Sequence, residues 1–277
     1  MPRACSAPPE DLVPATSAPV RIFRGAALAA QVLVVWLAAV LVAPRLAPAR
    51  RRRLVARCAA QTLAIVRVRS QVRGARPRDD GPALLVANHV SWLDVYVLNA
   101  ALGGARSVAK REVGAWPVAG GIARGFGTFF HVRGNPRDAA RVKDAVAAAL
   151  RAGERVVVFP EGTTTEGDDV GRFHAAFLQA AIDAAVPVQP VAIRYPGPDG
   201  GPDRAAAFVG DMTFLASLRR VLRRPRLEAR LTFGPVIHPG ARTRRDLAAI
   251  SQAFVAQALE GESLDCARRP PRLRRAA

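Results

Sequence analysis

Residues 83–94 read ALLVANHVSWLD: five apolar residues, an asparagine, then a histidine and an aspartate on either side of Val-Ser-Trp-Leu. Ala83 to Ala87 have the length and unbroken apolar character of a strand buried on both faces, the kind that parallel sheets use. On a regular helix, turning 100° per residue, His89 and Asp94 would point roughly 140° apart and could not touch. They meet only if the chain bends, with the strand ending near Ala87, His89 in the connection and Asp94 in the first turn of a helix. A carboxylate placed there fixes the imidazole tautomer and steadies the imidazolium. The competing reading is local: Ser91-Trp92-Leu93-Asp94 is also a capping-box pattern, in which Asp94 serves only the amides of a helix start.

Outward from this stretch, β-like runs alternate with helical ones. The β candidates are VRVRSQV, ALLVA, ARSVA, GTFFHV, RVVVF, VPVQPVAI, AAFVG and LEARLTF. The helical runs include DAARVKDAVAAALRAG, with Gly153 as its C-cap, RFHAAFLQAAIDAA and RRDLAAISQAFVAQALEG. The alternation predicts an α/β fold, a mixed, mostly parallel sheet flanked by helices. Pro187 and Pro190 favour an edge, or a strand end, for VPVQPV. The organisation expected is an N-terminal tail (1–24), a membrane helix followed by a basic interfacial helix (25–65), the α/β domain (66–262) and a basic tail (263–277).

The membrane expectation comes from GAALAAQVLVVWLAAVLVA, residues 25–43, which carries no formal charge and at 1.5 Å per residue spans roughly 28 Å. A buried soluble helix and a cleaved signal peptide are the rivals. So long an apolar helix is hard to bury in a small domain, and the long leader and following arginines fit cleavage poorly. Arg21 and Arg24 precede the run, whereas Arg45, Arg50, Arg51, Arg52, Arg53 and Arg57 follow it. By the positive-inside rule the domain then faces the cytoplasm, at the inner membrane. A helix lying within one leaflet fits the same residues. In RRRLVARCAAQTLAIV the arginines mix with Leu54, Val55, Cys58, Leu63 and Ile65, as in a helix at the interface or a plain solvated one.

A net charge of +19 attracts polyanions, either nucleic acid or an anionic bilayer. The arginines cluster after the apolar run and in the C-terminal tail rather than among aromatics, which points to membrane lipids and away from nucleic acid. Cys5, Cys58 and Cys266 lie far apart, with no CxxC pair and no metal-ligand spacing, so reduced thiols and no metal are expected.

Three further blocks accompany His89 and Asp94. GTFFHVRG is a strand with Arg133 at its exit. RVVVFPEGTTTEG is a strand stopped by Pro160, with a Glu-Gly-Thr turn whose amides could line an anion or hydroxyl pocket, and VPVQPV is another apolar strand. In this order the four blocks resemble the glycerolipid acyltransferase family, whose best-known members are 1-acyl-sn-glycerol-3-phosphate acyltransferases. The matching positions are His89 and Asp94, Phe129 to Arg133, Pro160 to Thr163, and Val186 to Val191, within a resemblance covering roughly residues 66 to 235.

The resemblance implies transfer of a fatty acyl group from acyl carrier protein or coenzyme A to a free hydroxyl of a lysolipid, with the thioester as co-substrate and no cofactor. His89 is then the general base and Asp94 its orienter. With no GxSxG elbow, direct transfer is favoured over an acyl-enzyme. Arg133 with Glu161, Gly162 and Thr163 would bind the acceptor's head, Glu161 orienting Arg133 or a glycerol hydroxyl. Lys110, in a chain that otherwise writes arginine, is a further headgroup candidate, a solvated strand end being the other reading. Backbone amides near Asn88 or Gly162 are candidate oxyanion donors. His131, His174 and His238 read as structural or surface residues.

Thr164, Thr165 and Glu166 stand where many family members have a basic residue and a serine, which weakens the case for phosphate. A carboxylate head, as in a lyso-ornithine lipid, would still suit Arg133, and VGDMTFLASL is similar to that branch. Lysophosphatidate is the first expectation and lyso-ornithine lipid the second. A catalytically dead lipid-binding scaffold is disfavoured by the intact His89 and Asp94.

Overall fold

The computed structural model describes residues 15–77, 81–198 and 200–268. The first part of the N-terminal tail, with Cys5, and the end of the basic tail lie outside the described residues. Helix α1 (Ala18–Leu37) continues through a wide turn, Ala38–Val42, and a tight one, Ala43–Arg45. There follow α2 (Pro48–Ile65), β1 (Val68–Arg73), β2 (Ala83–Ala87), α3 (Leu93–Leu102), β3 (Arg106–Lys110), α4 (Arg111–Ala115), α5 (Ala119–Gly125) and β4 (Phe129–His131). The remainder is α6 (Pro136–Arg151), β5 (Arg155–Val158), α7 (Gln179–Ala184), β6 (Val188–Arg194), α8 (Phe214–Arg223), β7 (Leu227–Phe233) and α9 (Arg244–Arg268).

The strands form one sheet in the order β1-β7-β6-β2-β5-β3-β4. Every neighbouring pair is parallel except β6 with β7. Strand β2 lies at the centre, and its residues alternate between two cores. Leu85 and Ala87 join the layer containing α2, α3 and α8, while Leu84 and Val86 join that of α6, α7 and α9. This explains why the strand is apolar at every position: it has no solvent face. Truncating Leu84 or Leu85 to alanine should cost about 2–5 kcal/mol.

Three local expectations are corrected. The run AAFVG is not a strand. Its Phe208 amide donates to Val90 O at 2.9 Å, so the segment packs as a loop against the His89 connection. RFHAAFLQAAIDAA is helical only from Gln179, because the residues before it wrap the Glu-Gly-Thr turn, His174 N donating to Pro160 O at 3.0 Å. VPVQPV is not an edge: β6 lies between β2 and β7 and is buried throughout, with Pro187 just before its first residue, as expected of a strand end, and Pro190 inside it. Pro190 is tolerated because it faces the end of β7, where the ladder has stopped at Phe233 and only Gly234 N remains to donate, to Pro190 O.

The apolar helix docks along the domain. Arg24 is buried, its guanidinium donating to the carbonyls of Ile65, Val66, Leu222 and Arg224 at 2.6–3.3 Å. It is therefore an anchor rather than a cation flanking a membrane span. Farther along, α5 meets the helix closely: a Cβ on Gly125 would collide with Ala39 O. The opposite face carries Ile22, Phe23, Leu33, Val34 and Leu41 into the exterior. Helix α2 buries Val55, Cys58 and Leu63 and packs on α3, so its apolar side faces protein, while Arg50, Arg53 and Arg57 point outward. Among the described side chains Cys58 is a buried, free thiol.

Candidate active site

In a parallel sheet the loops at the carboxyl ends of the strands share one rim, and ligands gather there. The end of β2 leads to His89, that of β3 is Lys110, β4 leads to Arg133, β5 to Pro160-Glu161-Gly162, and β6 to Tyr195. The first three blocks singled out by sequence thus converge on this rim, while the fourth, Val186 to Val191, opens β6 at the opposite rim and comes level with the end of β2 only at Val191.

The bend required between His89 and Asp94 is present. His89 sits in the connection, α3 begins at Leu93, and His89 Nδ1 lies 2.8 Å from Asp94 Oδ2. The same oxygen accepts the amides of Val90 at 2.7 Å and Ser91 at 2.8 Å, while Leu93 N donates to Ser91 Oγ. The capping box and the His–Asp contact are therefore one structure, not alternatives. Asp94 is fully buried, whereas the His89 side chain is 22% exposed. An ionised carboxylate only accepts, so Nδ1 carries the proton and Nε2 keeps its lone pair. The imidazole also stacks on Phe159, ring centres 4.1 Å apart.

Asn88 locks the strand ends behind this loop. Its side chain donates to Ile193 O at 2.9 Å and accepts from Ile193 N at 2.7 Å, clamping β2 to β6. Just past that clamp, Tyr195 donates its hydroxyl to Asp94 Oδ1 at 2.8 Å.

Glu161 is buried under the His89 loop. One oxygen accepts His89 N and the other Gly171 N, each at 2.7 Å. Both oxygens are thus engaged by backbone, and the carboxylate braces two loops. Burial pushes its pKa up, against the pull of those two amide bonds. Gly162 has φ +69, and its missing Cβ leaves room for the Arg133 guanidinium, 3.4 Å from where that atom would be. Thr163 is exposed at the turn. The Gly162 amide donates to Phe159 O, so with those of His89, Val90 and Ser91 it is already engaged. Burial lowers the pKa of Lys110, and the nearby Arg133 charge lowers it further; His131 is lowered for the same two reasons.

Sequence reasoning missed Phe159 and Tyr195. Phe159 was readable only as the last residue of a buried run. Tyr195 is one of two tyrosines in the chain and directly follows the strand that the fourth block opens, a position that could have raised the question of its hydroxyl's partner.

The sequence profile of the family described as Acyltransferase matches residues 68–194. Lyso-ornithine lipid O-acyltransferase of Pseudomonas aeruginosa is 39% identical over 82% of this chain and 84% of its own. The 1-acyl-sn-glycerol-3-phosphate acyltransferase of Neisseria meningitidis serogroup B is 33% identical over 67% of this chain and 72% of its own. The crystal structure of the 1-acyl-sn-glycerophosphate acyltransferase PlsC from Thermotoga maritima shares the fold, with a TM-score of 0.62 over 90% of this chain and 99% of that one, at 19% identity. With the four blocks in order and so similar a relative along most of both lengths, the chain belongs to the glycerolipid acyltransferase family.

Proposed function

We propose that the protein moves a fatty acyl group from an acyl thioester, on acyl carrier protein or coenzyme A, to the free hydroxyl of a lysolipid, with His89 as general base. The observation that carries this reading is the 2.8 Å contact between His89 Nδ1 and Asp94, which leaves the lone pair on Nε2 of a ring that is 22% exposed. Nε2 takes the hydroxyl proton as the lysolipid oxygen attacks the thioester carbonyl. The C–O bond forms, the tetrahedral adduct collapses, the C–S bond breaks, and the thiolate leaves with the proton held by the imidazolium. Asp94 offsets the imidazolium charge in between.

Arg133, with Lys110 beside it, receives the acceptor's anionic head, and the Gly162-Thr163 turn lies against it. We place lyso-ornithine lipid ahead of lysophosphatidate, reversing the order expected from sequence. Relatives named for lyso-ornithine lipid match at 39% and 37% identity. The three residues after Glu-Gly-Thr serve the protein itself: Thr164 donates to Phe208 O, Thr165 to His89 O, and Glu166 pairs with Arg204. Glu112 also sits near enough to Lys110 to act on its charge. A zwitterionic head can satisfy cations and carboxylate together, whereas a phosphate dianion would be repelled by Glu112.

The reading extends to the membrane. The apolar helical run Ala18–Arg45 touches the domain through Arg24 and, farther along, through Ala39, and turns an apolar face outward. A helix held to one domain along its length fits one leaflet better than a span, with Arg50, Arg53 and Arg57 toward anionic headgroups on the cytoplasmic side. The acceptor and donor are tested by offering purified enzyme both lysolipids, each with acyl carrier protein and coenzyme A thioesters, and identifying products by mass. Faster acylation of lyso-ornithine lipid is expected; exclusive formation of phosphatidic acid would reverse the acceptor assignment.

A further inference from the structure

We propose that Tyr195 is a positioning residue for this reaction: its hydroxyl fixes the rotation of the Asp94 carboxylate and, through it, the aim of the His89 imidazole. The inference rests on His89 being the general base. The two oxygens of Asp94 are loaded unequally. Oδ2 takes three donors, His89 Nδ1 and the amides of Val90 and Ser91. Among the described residues Oδ1 takes one, Tyr195, at 2.8 Å. A carboxylate is planar, so its two oxygens turn together about the last side-chain bond. All three donors on Oδ2 come from the loop that the carboxylate itself organises, whereas Tyr195, just past β6, ties that one rotation to a separate part of the sheet.

Tyr195 is well placed to be a fixed reference. It is 2% exposed, and its carbonyl accepts the amide of Asp203, which is itself paired with Arg224 at 2.8 Å. Two residues before it, the Asn88–Ile193 clamp ties β6 to the strand that carries His89. Burial and the Asp94 charge push the phenol well above its ordinary range, so it remains a donor and exchanges no proton with the pair. Without the hydroxyl, Oδ1 would be a bare buried acceptor, and the carboxylate could rotate to share its remaining donors. Small errors in aim are costly in proton transfer, about 10²-fold for 1 Å.

The test is Tyr195→Phe in the full-length enzyme, purified in detergent and assayed with a fixed acyl donor and lysolipid. It should keep its Tm within a few degrees and both KM values within about twofold, while kcat falls about tenfold. In a His89→Ala background the same substitution should cost nothing further, because residues acting as one unit are not additive. Wild-type turnover by Tyr195→Phe, or a loss that multiplies onto that of His89→Ala, would overturn the inference. Should Tyr195→Phe not fold, 3-fluorotyrosine in a Tyr96→Phe background keeps the ring and hydroxyl. A change in kcat of about twofold or more at constant KM is then expected from the more acidic phenol, and no change would count against the role. A fully active His89→Ala would remove the base assignment itself, whereas an inactive His89→Ala beside a fully active Tyr195→Phe would remove only this inference.

Discussion

The carboxylate of Glu161 accepts the backbone N–H of His89 at 2.7 Å, so the turn after β5 holds the residue at the end of β2. Two loops from neighbouring strands are joined by one buried acid. Removing it as Glu161→Ala leaves the amides of His89 and Gly171 without their acceptor and should cost about 1–3 kcal/mol, with activity falling alongside.

The same carboxyl gives a pH dependence. Its native pKa is raised by burial, so its contribution to stability is fully present below the unfolded value of about 4.3 and is lost as pH climbs through the raised native value. The Tm of the wild type minus that of Glu161→Gln should therefore decline across that window and level off above it. Melts of both proteins from pH 4 upward check this, and a difference that rises with pH would contradict it.

Arg133 should act on acceptor binding. Arg133→Ala is expected to raise the acceptor KM about tenfold or more, with the donor KM unchanged, because a charge-assisted contact to the head is lost. Arg133→Lys should recover part of the loss, since a point charge remains without the planar fork. Steady-state kinetics with each substrate varied in turn separates this from a general loss of fold.

The membrane reading predicts that both ends of the apolar helical run Ala18–Arg45 lie on one side. Ser17, exposed just before α1, and Ala47, exposed just before α2, are suitable reporters. With the native cysteines replaced, Ser17→Cys and Ala47→Cys should both react with an impermeant thiol reagent in inside-out vesicles and neither in intact spheroplasts. Labelling on opposite faces would establish a span.

Much of the rim was legible because its parts are local. A buried run followed by His-x4-Asp demands a bend, and that geometric demand holds whatever else the chain does. The contacts that tie the rim together were not legible, because they join residues distant in sequence. Tyr195 reaches Asp94 across 101 positions and Arg24 reaches Leu222 across 198, with no spacing to announce either. Pro190 was misjudged for a related reason: a proline in a central strand is acceptable only where the neighbouring strand ends, and strand order is a tertiary fact. AAFVG failed as a strand because its edge meets a loop, at Val90, rather than a ladder.

The central claim is that His89 removes the acceptor's proton with Asp94 behind it. Turnover by His89→Ala, purified in detergent with a long-chain acyl donor and the lysolipid that the wild type prefers, tests it most directly. The account predicts a folded protein that still binds both substrates and transfers about 10²-fold more slowly or worse; turnover equal to that of the wild type would contradict it.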